Sequence, residues 1–228
     1  MIGRERSGGH SGRGGMTIGR ATLFALCLVA AALGLAAVEP VPPSPDSAPG
    51  RGAPATPPPG DLLIASAQIQ DPRFYHAVVL ILRHDRDGAF GIVINHKLAT
   101  EEIATLLAAT GDDDKTVDGS IAVMSGGPVQ PELGFVLHSA DYRIAQTMAI
   151  DGKVGMTASK QVLRDIGHHK GPKKYFFAFG YAGWGAGQLE SEIARNDWFV
   201  ATEDSALLFD EDRGAVWDKA LARRGQDL

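Results

Sequence analysis

The residue types best suited to hold a ligand lie between Tyr175 and Trp198. An apolar run of strand length passes there into closely spaced glycines and then into helix-forming residues. Glycines let a ligand approach the backbone closely, and the amides at a helix start attract anions. The spacing Gly-x-Gly-x-Gly matches neither the dinucleotide-binding pattern nor a P-loop. Two interpretations stay open: a ligand-binding loop, or a tight turn in which Trp184 packs into the core.

Our hypothesis for function is a non-enzymatic binding or regulatory domain. The glycine loop and its polar neighbours would form a surface for a small ligand or a protein partner, without a cofactor, a metal or a catalytic residue. His138 stands near a strand end, where bonding to a backbone carbonyl is a further expectation. The predicted ligand-binding residues are Gly183, Trp184, Gly185, Gly187, Gln188, Asn95 and His138.

Catalytic patterns are incomplete in this sequence. Ser125 fails as a nucleophile elbow because position 123, which would have to be glycine, is Val123. The run from His138 to Asp141 contains hydrolase residue types, but catalytic triads are defined by geometry and not by adjacency. The alternative function is a hydrolase or transferase that folding would assemble from widely spaced side chains. These are His84, His138, Asp71 and Asp87.

Charge and cysteine content exclude several classes of function. From Asp61 onward the chain carries 17 Lys and Arg residues against 24 Asp and Glu residues, a formal charge of −7. Such a domain gains little from counterion release on DNA, so a DNA-binding regulator is the least favoured hypothesis and no nucleic acid is expected as a partner. Cys27, the single cysteine, lies in an apolar run. The rest of the chain therefore has no thiol nucleophile or disulfide.

Composition divides the chain into three parts. Residues 1–38 hold a basic start and then an uncharged run of eighteen residues from Ala21 to Val38, a length between that of a signal peptide and that of a membrane span. Residues 39–60 contain nine of the thirteen prolines and are predicted to be a disordered linker. Residues 61–228 are predicted to fold as one domain.

Hydrophobic periodicity predicts the elements of that domain. Strands are expected over 62–67, 75–82, 89–95, 120–124 and 134–138, with Asp87-Gly88 as a hairpin turn. A second hairpin is expected around Asp151-Gly152, and Ser159 should cap a short helix. Thr100 should open a helix that Gly111 ends, and residues 112–118 should be an exposed acidic loop. Residues 198–201 should be an edge strand, followed by helices over 203–209 and 215–224.

Six blocks of residues, in this order, resemble the YqgE/AlgH family of bacterial proteins. The resemblance covers almost all of residues 61–225 and implies an α+β domain with a large mixed sheet, partly closed on itself and flanked by helices. The resembling family has no established enzymatic activity, and the resemblance implies a regulatory role only by analogy. The blocks are Leu62-Leu63-Ile64-Ala65-Ser66, Asp71-Pro72-x-Phe74, His84 with Gly88-Ala89-x-Gly91-Ile92-Val93-Ile94-Asn95, Gly126-Gly127-Pro128-Val129, Gly134-Phe135-Val136-Leu137-His138, and Gly180 to Ile193.

The N-terminal segment predicts a location at the bacterial inner membrane or in the periplasm. Arg20 precedes the uncharged run, which is the order expected when the basic end stays in the cytoplasm and the rest is carried across. Membrane contact is expected through this segment only. The alternative is a cytoplasmic protein, which is the norm in the resembling family and would also follow from a misassigned translation start.

Overall fold

The computed structural model describes residues 56–202 and 204–223, and the predicted signal or anchor segment lies outside them. Within these ranges the chain forms ten strands and five α-helices in one sheet-based domain. The strands are β1 (Leu62–Ala65), β2 (Val78–Asp85), β3 (Gly88–Val93), β4 (Lys97–Glu102), β5 (Ser120–Ser125), β6 (Val129–Ser139), β7 (Thr147–Ile150), β8 (Val154–Thr157), β9 (Tyr175–Gly185) and β10 (Trp198–Ala201). The helices are α1 (Ile103–Ala109), α2 (Lys160–Gly167), α3 (Gln188–Ala194), α4 (Ser205–Leu208) and α5 (Val216–Arg223).

The sheet is mixed and curled, as the family resemblance implies. Its main path runs β10-β1-β2-β3-β9-β6-β8-β7, and β5 adds to β9 in parallel while carrying β4 on its other side. The other strand pairs within the described ranges are antiparallel. The predicted α+β class and single flanked sheet are confirmed.

Strand β2 explains why the sequence shows a continuous apolar run there. Side chains alternate between the two faces of a strand, and both faces of β2 are covered. Val78, Leu80 and Leu82 join a core that includes α4 and α5, whereas Val79 and Ile81 join a second core on the opposite face. A strand that is buried on both faces has apolar side chains at successive positions, so its sequence does not alternate between polar and apolar residues.

Strand β9 corrects the predicted glycine loop. It runs through Gly185, so three of the four glycines lie inside the strand and only Gly187 follows it. The extension is stabilised by pairing, because Gly183 and Gly185 lie opposite Phe90 and Gly88 of β3. Glycines in a sequence often indicate that a strand has ended, but pairing with β3 continues this strand to Gly185. The predicted helix after the glycines is α3, and Gly187 caps it at φ 71°.

The predicted helix start at Thr100 is wrong, because this residue lies in a strand that precedes the helix. Residues 97–102 form β4, in which Thr100 lies opposite Ala122 of β5, and α1 begins only at Ile103. Thr100 and the two glutamates after it have the composition of a helix start. Pairing with β5 outweighs that local preference.

The predicted acidic loop is not fully exposed. Asp112 is buried, with the guanidinium of Arg164 and, at 3.7 Å, the ammonium of Lys160 beside its carboxylate. Val117 is also buried, in the core between α1 and α2. The acidic run therefore begins with a buried ion pair that ties it to α2.

Both predicted hairpins and the predicted edge strand are confirmed. Strands β2 and β3 meet around Arg86 and Asp87, and β7 and β8 meet around residues 151–153. Strand β10 ends the sheet path beside β1. The Ser159 hydroxyl accepts a hydrogen bond from the Gln161 main-chain nitrogen at 3.3 Å, which caps α2 as expected.

The last residues of the predicted linker contact the domain. Pro57 is buried and its carbonyl oxygen lies 2.9 Å from Nδ1 of His84, while the Gly60 nitrogen donates to the Ile81 carbonyl at 2.8 Å. Ordered structure thus starts ahead of Asp61. No helix in the described ranges is long and apolar enough to cross a bilayer.

Candidate functional site

Glu192 on α3 organises the end of β9. Its Oε2 accepts hydrogen bonds from the indole nitrogens of Trp184 and Trp198, both at 2.8 Å. The two indoles meet edge to face, with their centroids 5.8 Å apart. The hypothesis that the Trp184 indole is buried is confirmed, since 6% of the residue is exposed. One carboxylate thereby fixes two aromatic side chains from different strands.

Gln188 connects this centre to the end of the strand. Its Nε2 donates to Oε1 of Glu192 at 2.9 Å, and its Oε1 accepts from the Gly185 nitrogen at 3.1 Å. Phe74, from the 3-10 helix Pro72–Phe74, stacks on Trp184 with centroids 6.3 Å apart. The end of β9 is therefore held by bonds from α3 and by aromatic packing.

A cavity of about 560 Å³ opens beside these residues. Its volume falls in the range of small-molecule sites. Three of the predicted site residues, Gly183, Trp184 and Gln188, line it, and we call it the tryptophan groove. The remaining lining residues are Gln68, Ile69, Gln70, Asp71, Arg73, Phe74, Pro128, Val129, Glu192, Arg195, Asn196, Asp197 and Trp198.

Polar side chains in the tryptophan groove are of two kinds. At its rim Arg73 pairs with Asp71, and Arg195 pairs with Asp197. The Asp71–Arg73 hydrogen bond holds the pKa of that carboxyl below its usual value. The first kind is these ion-paired charges, and the second is side-chain amides. Gln68, Gln70 and Asn196 are exposed, and within the described ranges their side chains make no hydrogen bonds. The groove thus offers free amide donors and acceptors between neutralised charges.

Asn95 lies outside the tryptophan groove. It is buried after β3, where its Oδ1 accepts from the Val78 nitrogen and its Nδ2 donates to the His76 carbonyl, both at 2.8 Å. Both ends of the amide are occupied by backbone groups. Asn95 therefore fixes the chain before β2, where His76 takes a positive φ of 53°.

His138 lies at the other end of the sheet from the groove. It is fully buried on β6, opposite Tyr175, the first residue of β9. Nδ1 donates to the Ser139 carbonyl at 3.0 Å, so the expected bond to a backbone carbonyl is confirmed. Nε2 accepts from the Thr157 hydroxyl at 2.9 Å, which in turn accepts from Thr147 at 2.8 Å. The structure does not bring His138 and Asn95 together with the groove residues.

The buried imidazole of His138 is expected to make the folded domain less stable in acid. Burial lowers the pKa of its imidazole, so below about pH 6.5 the unfolded chain binds a proton that the folded chain does not. Stability is then lost as pH falls through this window. We expect the thermal midpoint to fall between about pH 7.5 and about pH 5, and to fall less in His138→Gln. Calorimetry at each pH measures this.

His169→Gln is the matched control, because His169 is exposed beside Asp118. His96, whose pKa burial also lowers, contributes in the same direction and keeps part of the slope in every variant. Equal slopes for His138→Gln and the native chain would contradict the assignment.

The side chains of the alternative enzyme hypothesis make separate contacts. The His84 side chain is buried between the Pro57 carbonyl and Glu190, with Nε2 3.0 Å from the Glu190 carboxylate. Asp71 pairs with Arg73, and Asp87 is exposed in the β2–β3 turn. None of these contacts joins two of the proposed catalytic groups. Among the described residues no cluster of three or more His, Cys, Asp or Glu side chains has the arrangement of a metal site.

Comparison with known proteins shows the family to which the chain belongs. A family model described as AlgH-like, DUF179, matches residues 62–228. The chain belongs to this family. A UPF0301 protein of Cereibacter sphaeroides (strain ATCC 17029 / ATH 2.4.9) is 41% identical over 169 residues, which cover 74% of this chain and 92% of the relative. A UPF0301 protein of Thioalkalivibrio sulfidiphilus (strain HL-EbGR7) is 41% identical over 166 residues, covering 73% and 89%.

Solved structures agree with the fold. The solution structure of the AlgH protein from Pseudomonas aeruginosa matches with a TM-score of 0.59 and 34% identity, over 75% of this chain and 92% of that one. The crystal structure of protein DIP2367 from Corynebacterium diphtheriae has the same TM-score at 21% identity, over 74% and 87%, and supports the fold alone.

Several groove residues were missed in the sequence analysis. Glu192 was not among the predicted site residues, yet it positions both indoles. Phe74 and Trp198 carried no functional signal beyond their aromatic type, and spacing along the chain does not place them beside Trp184. The amides of Gln68, Gln70 and Asn196 lie in loops whose approach to α3 depends on the whole fold.

Proposed function

We propose that this chain is a non-enzymatic binding protein and that the tryptophan groove takes a small, neutral, polar molecule. The observation that carries the proposal is a cavity of ligand size with fixed aromatic walls and three unoccupied amide side chains, Gln68, Gln70 and Asn196. Amides both donate and accept, so they suit ligands that do the same.

The lining favours binding over catalysis. It contains carboxylates, amides, arginines and aromatic side chains but no histidine, serine, cysteine or lysine. Its carboxylates are engaged, since Asp71 and Asp197 pair with arginines and Glu192 holds the indoles. A general base needs a free carboxylate or imidazole near the reacting proton. Paired rim charges also disfavour a strongly charged ligand.

The test is a ligand-observed NMR screen of neutral sugars, amides and dipeptides against the folded chain. We expect bound compounds to shift the fluorescence of the native protein, because Trp184 and Trp198 line the groove. The triple variant Gln68→Ala/Gln70→Ala/Asn196→Gly should weaken binding about tenfold or more, as expected when several hydrogen bonds of about 0.5–1.5 kcal/mol each are lost. Its thermal midpoint should stay near that of the native chain.

Gln146→Ala is the matched control, because Gln146 is exposed and outside the groove lining. Retained affinity in the triple variant would place any bound compound elsewhere. A screen without neutral binders would contradict the proposed ligand class.

We also propose that the domain is held at, or released from, the outer face of a bacterial inner membrane. The support is the order of Arg20, the uncharged run from Ala21 to Val38 and the Pro-rich segment. Alkaline phosphatase is active only after export. A fusion to the full chain should be active, and a fusion to a chain starting at Asp61 inactive. An inactive full-length fusion would return the protein to the cytoplasm.

A further inference from the structure

A second cavity, of about 640 Å³, lies on a different part of the domain and shares no lining residue with the tryptophan groove. It is formed where the β4–β5 ribbon, the start of β9 and the segment after α4 meet, and we call it the basic pocket. Its lining holds four cationic side chains and a single carboxylate, that of Glu211. The residues are Lys97, Thr100, Ser120, Ala122, Lys173, Lys174, Tyr175, Phe209, Glu211 and Arg213.

Arg213 is the central group of the basic pocket. It is 7% exposed, and its guanidinium carbon lies 4.8 Å from the centroid of the Phe176 ring. One guanidinium nitrogen donates to the Leu208 carbonyl at 2.6 Å and to the Ile94 carbonyl at 3.4 Å. Burial lowers the pKa of Arg213 to about 10, so the group is still a cation at neutral pH.

No carboxylate of the described ranges forms an ion pair with Arg213. The acidic neighbour Asp210, which acts on it electrostatically, is engaged by the Lys219 ammonium at 2.5 Å. A buried charge is costly unless it is paired. Arg213 has carbonyl oxygens and an aromatic face around it, and its acidic neighbour Asp210 is bound to Lys219. The fold therefore keeps a buried cation without a direct ion pair among the described residues in the wall of a cavity.

Three lysines add to this charge. Lys97, Lys173 and Lys174 form no ion pairs with carboxylates of residues 56–202 and 204–223. The Lys174 ammonium lies 6.0 Å from the Phe209 centroid. Asp141 fixes the backbone before β9, because its carboxylate accepts from the Lys173 nitrogen at 3.2 Å. Lys173 and Lys174 therefore stand on a positioned turn, and Lys97 is the first residue of β4.

The excess of cations is unusual for this domain, whose formal charge from Asp61 onward is −7. Clefts lined by one sign of charge concentrate ligands of the opposite sign. The arginine fork and the lysine point charges match phosphate oxygens, and the hydroxyls of Thr100, Ser120 and Tyr175 supply further donors. Phe209 gives one wall an aromatic surface.

We propose that the basic pocket binds a small phosphorylated molecule that carries more than one negative charge. The site is independent of the tryptophan groove, and a neutral ligand there and a phosphorylated ligand here are separate functions of the domain. Sequence spacing does not indicate this site, because Arg213 and Lys97 come from parts of the chain distant from Lys173 and Lys174.

Titration calorimetry with inorganic pyrophosphate, on the folded full-length chain, tests the proposal. We expect saturable binding that weakens as salt is added, since screening shortens the reach of the charges. Lys173→Gln/Lys174→Gln should weaken it about tenfold, which corresponds to roughly 1.4 kcal/mol. Both side chains are exposed, so this variant should keep the native thermal midpoint. The main-chain NMR signals of Ser120 and Tyr175 should shift on titration.

The control is Lys115→Gln/Lys170→Gln, which removes the same charge from exposed positions outside the basic pocket. An equal loss of affinity in the control would show diffuse attraction and overturn the site, as would an absence of pyrophosphate binding. Citrate carries about the same negative charge at neutral pH without phosphate oxygens. Equally tight citrate binding would overturn the phosphate class. Neither outcome affects the neutral-ligand screen of the groove, which uses other residues.

Discussion

Replacing Trp184 by alanine is expected to lower the free energy of unfolding by about 3 to 5 kcal/mol, the usual cost of removing a buried aromatic side chain. The indole packs against Trp198 and Phe74 and donates to Glu192. Its removal leaves a cavity in the core that also holds β1, β2 and α3. For a domain of this size the midpoint of thermal unfolding should fall by about 6 to 20 °C. Urea unfolding followed by circular dichroism measures the change.

Trp184→Phe separates packing from hydrogen bonding. Phenylalanine keeps most of the ring contacts with Phe74 and Trp198 but gives Glu192 one donor fewer, which should cost about 0.5–1.5 kcal/mol for the bond in addition to the smaller volume. Native stability in Trp184→Ala, together with the emission spectrum of solvent-exposed tryptophan in the native chain, would show that the indole stands free of the core.

Gly127→Ala is expected to destabilise the domain by about 2 to 6 kcal/mol, through backbone strain and overpacking together. Gly127 has φ 150°, and a Cβ atom there would lie 2.1 Å from the carbonyl carbon of Tyr181. The neighbouring Gly126 is also close to β9, since a Cβ atom there would lie 2.5 Å from the Gly180 oxygen. The contact is backbone against backbone, so no side chain can move to relieve it.

Gly111→Ala is the control for this prediction. Gly111 also has a positive φ, 75°, but a Cβ atom there would meet no atom within 4 Å. Its substitution should therefore cost only the backbone term, about 1 to 2 kcal/mol. Equal losses for the two variants, measured in urea, would mean that conformation alone and not the close approach to β9 requires glycine at 127.

The elements that sequence periodicity predicted well are those with two covered faces or a strong turn. The run around Val78 and the Asp87-Gly88 hairpin need little information from the rest of the chain. Thr100 and Gly183 were assigned wrongly because their strand state depends on partners, Ala122 and Phe90, that local sequence does not name. Local propensity is a weak preference that pairing overrides.

The candidate site was predictable only in part, for the same reason. Trp184 and Gln188 belong to one continuous stretch, so a strand followed by a helix already places them close together. Asn95 and His138 were grouped with them by residue type alone, and the fold gives each a full set of backbone or hydroxyl partners instead. Arg213 had no visible role until α4 and the following turn placed it against Phe176.

The order of strands in the sheet also determines when the domain can form during synthesis. Strand β1, the first to leave the ribosome, has β10 as one of its two neighbours, and Leu62 pairs with Ala201 near the opposite end of the described chain. Until that late segment emerges, β1 has one unpaired edge, and such edges recruit other strands. Pairings so distant in sequence also slow folding. The described sheet is therefore complete only once residues up to Ala201 are present, and until then the free edge of β1 is open to pairing with other strands.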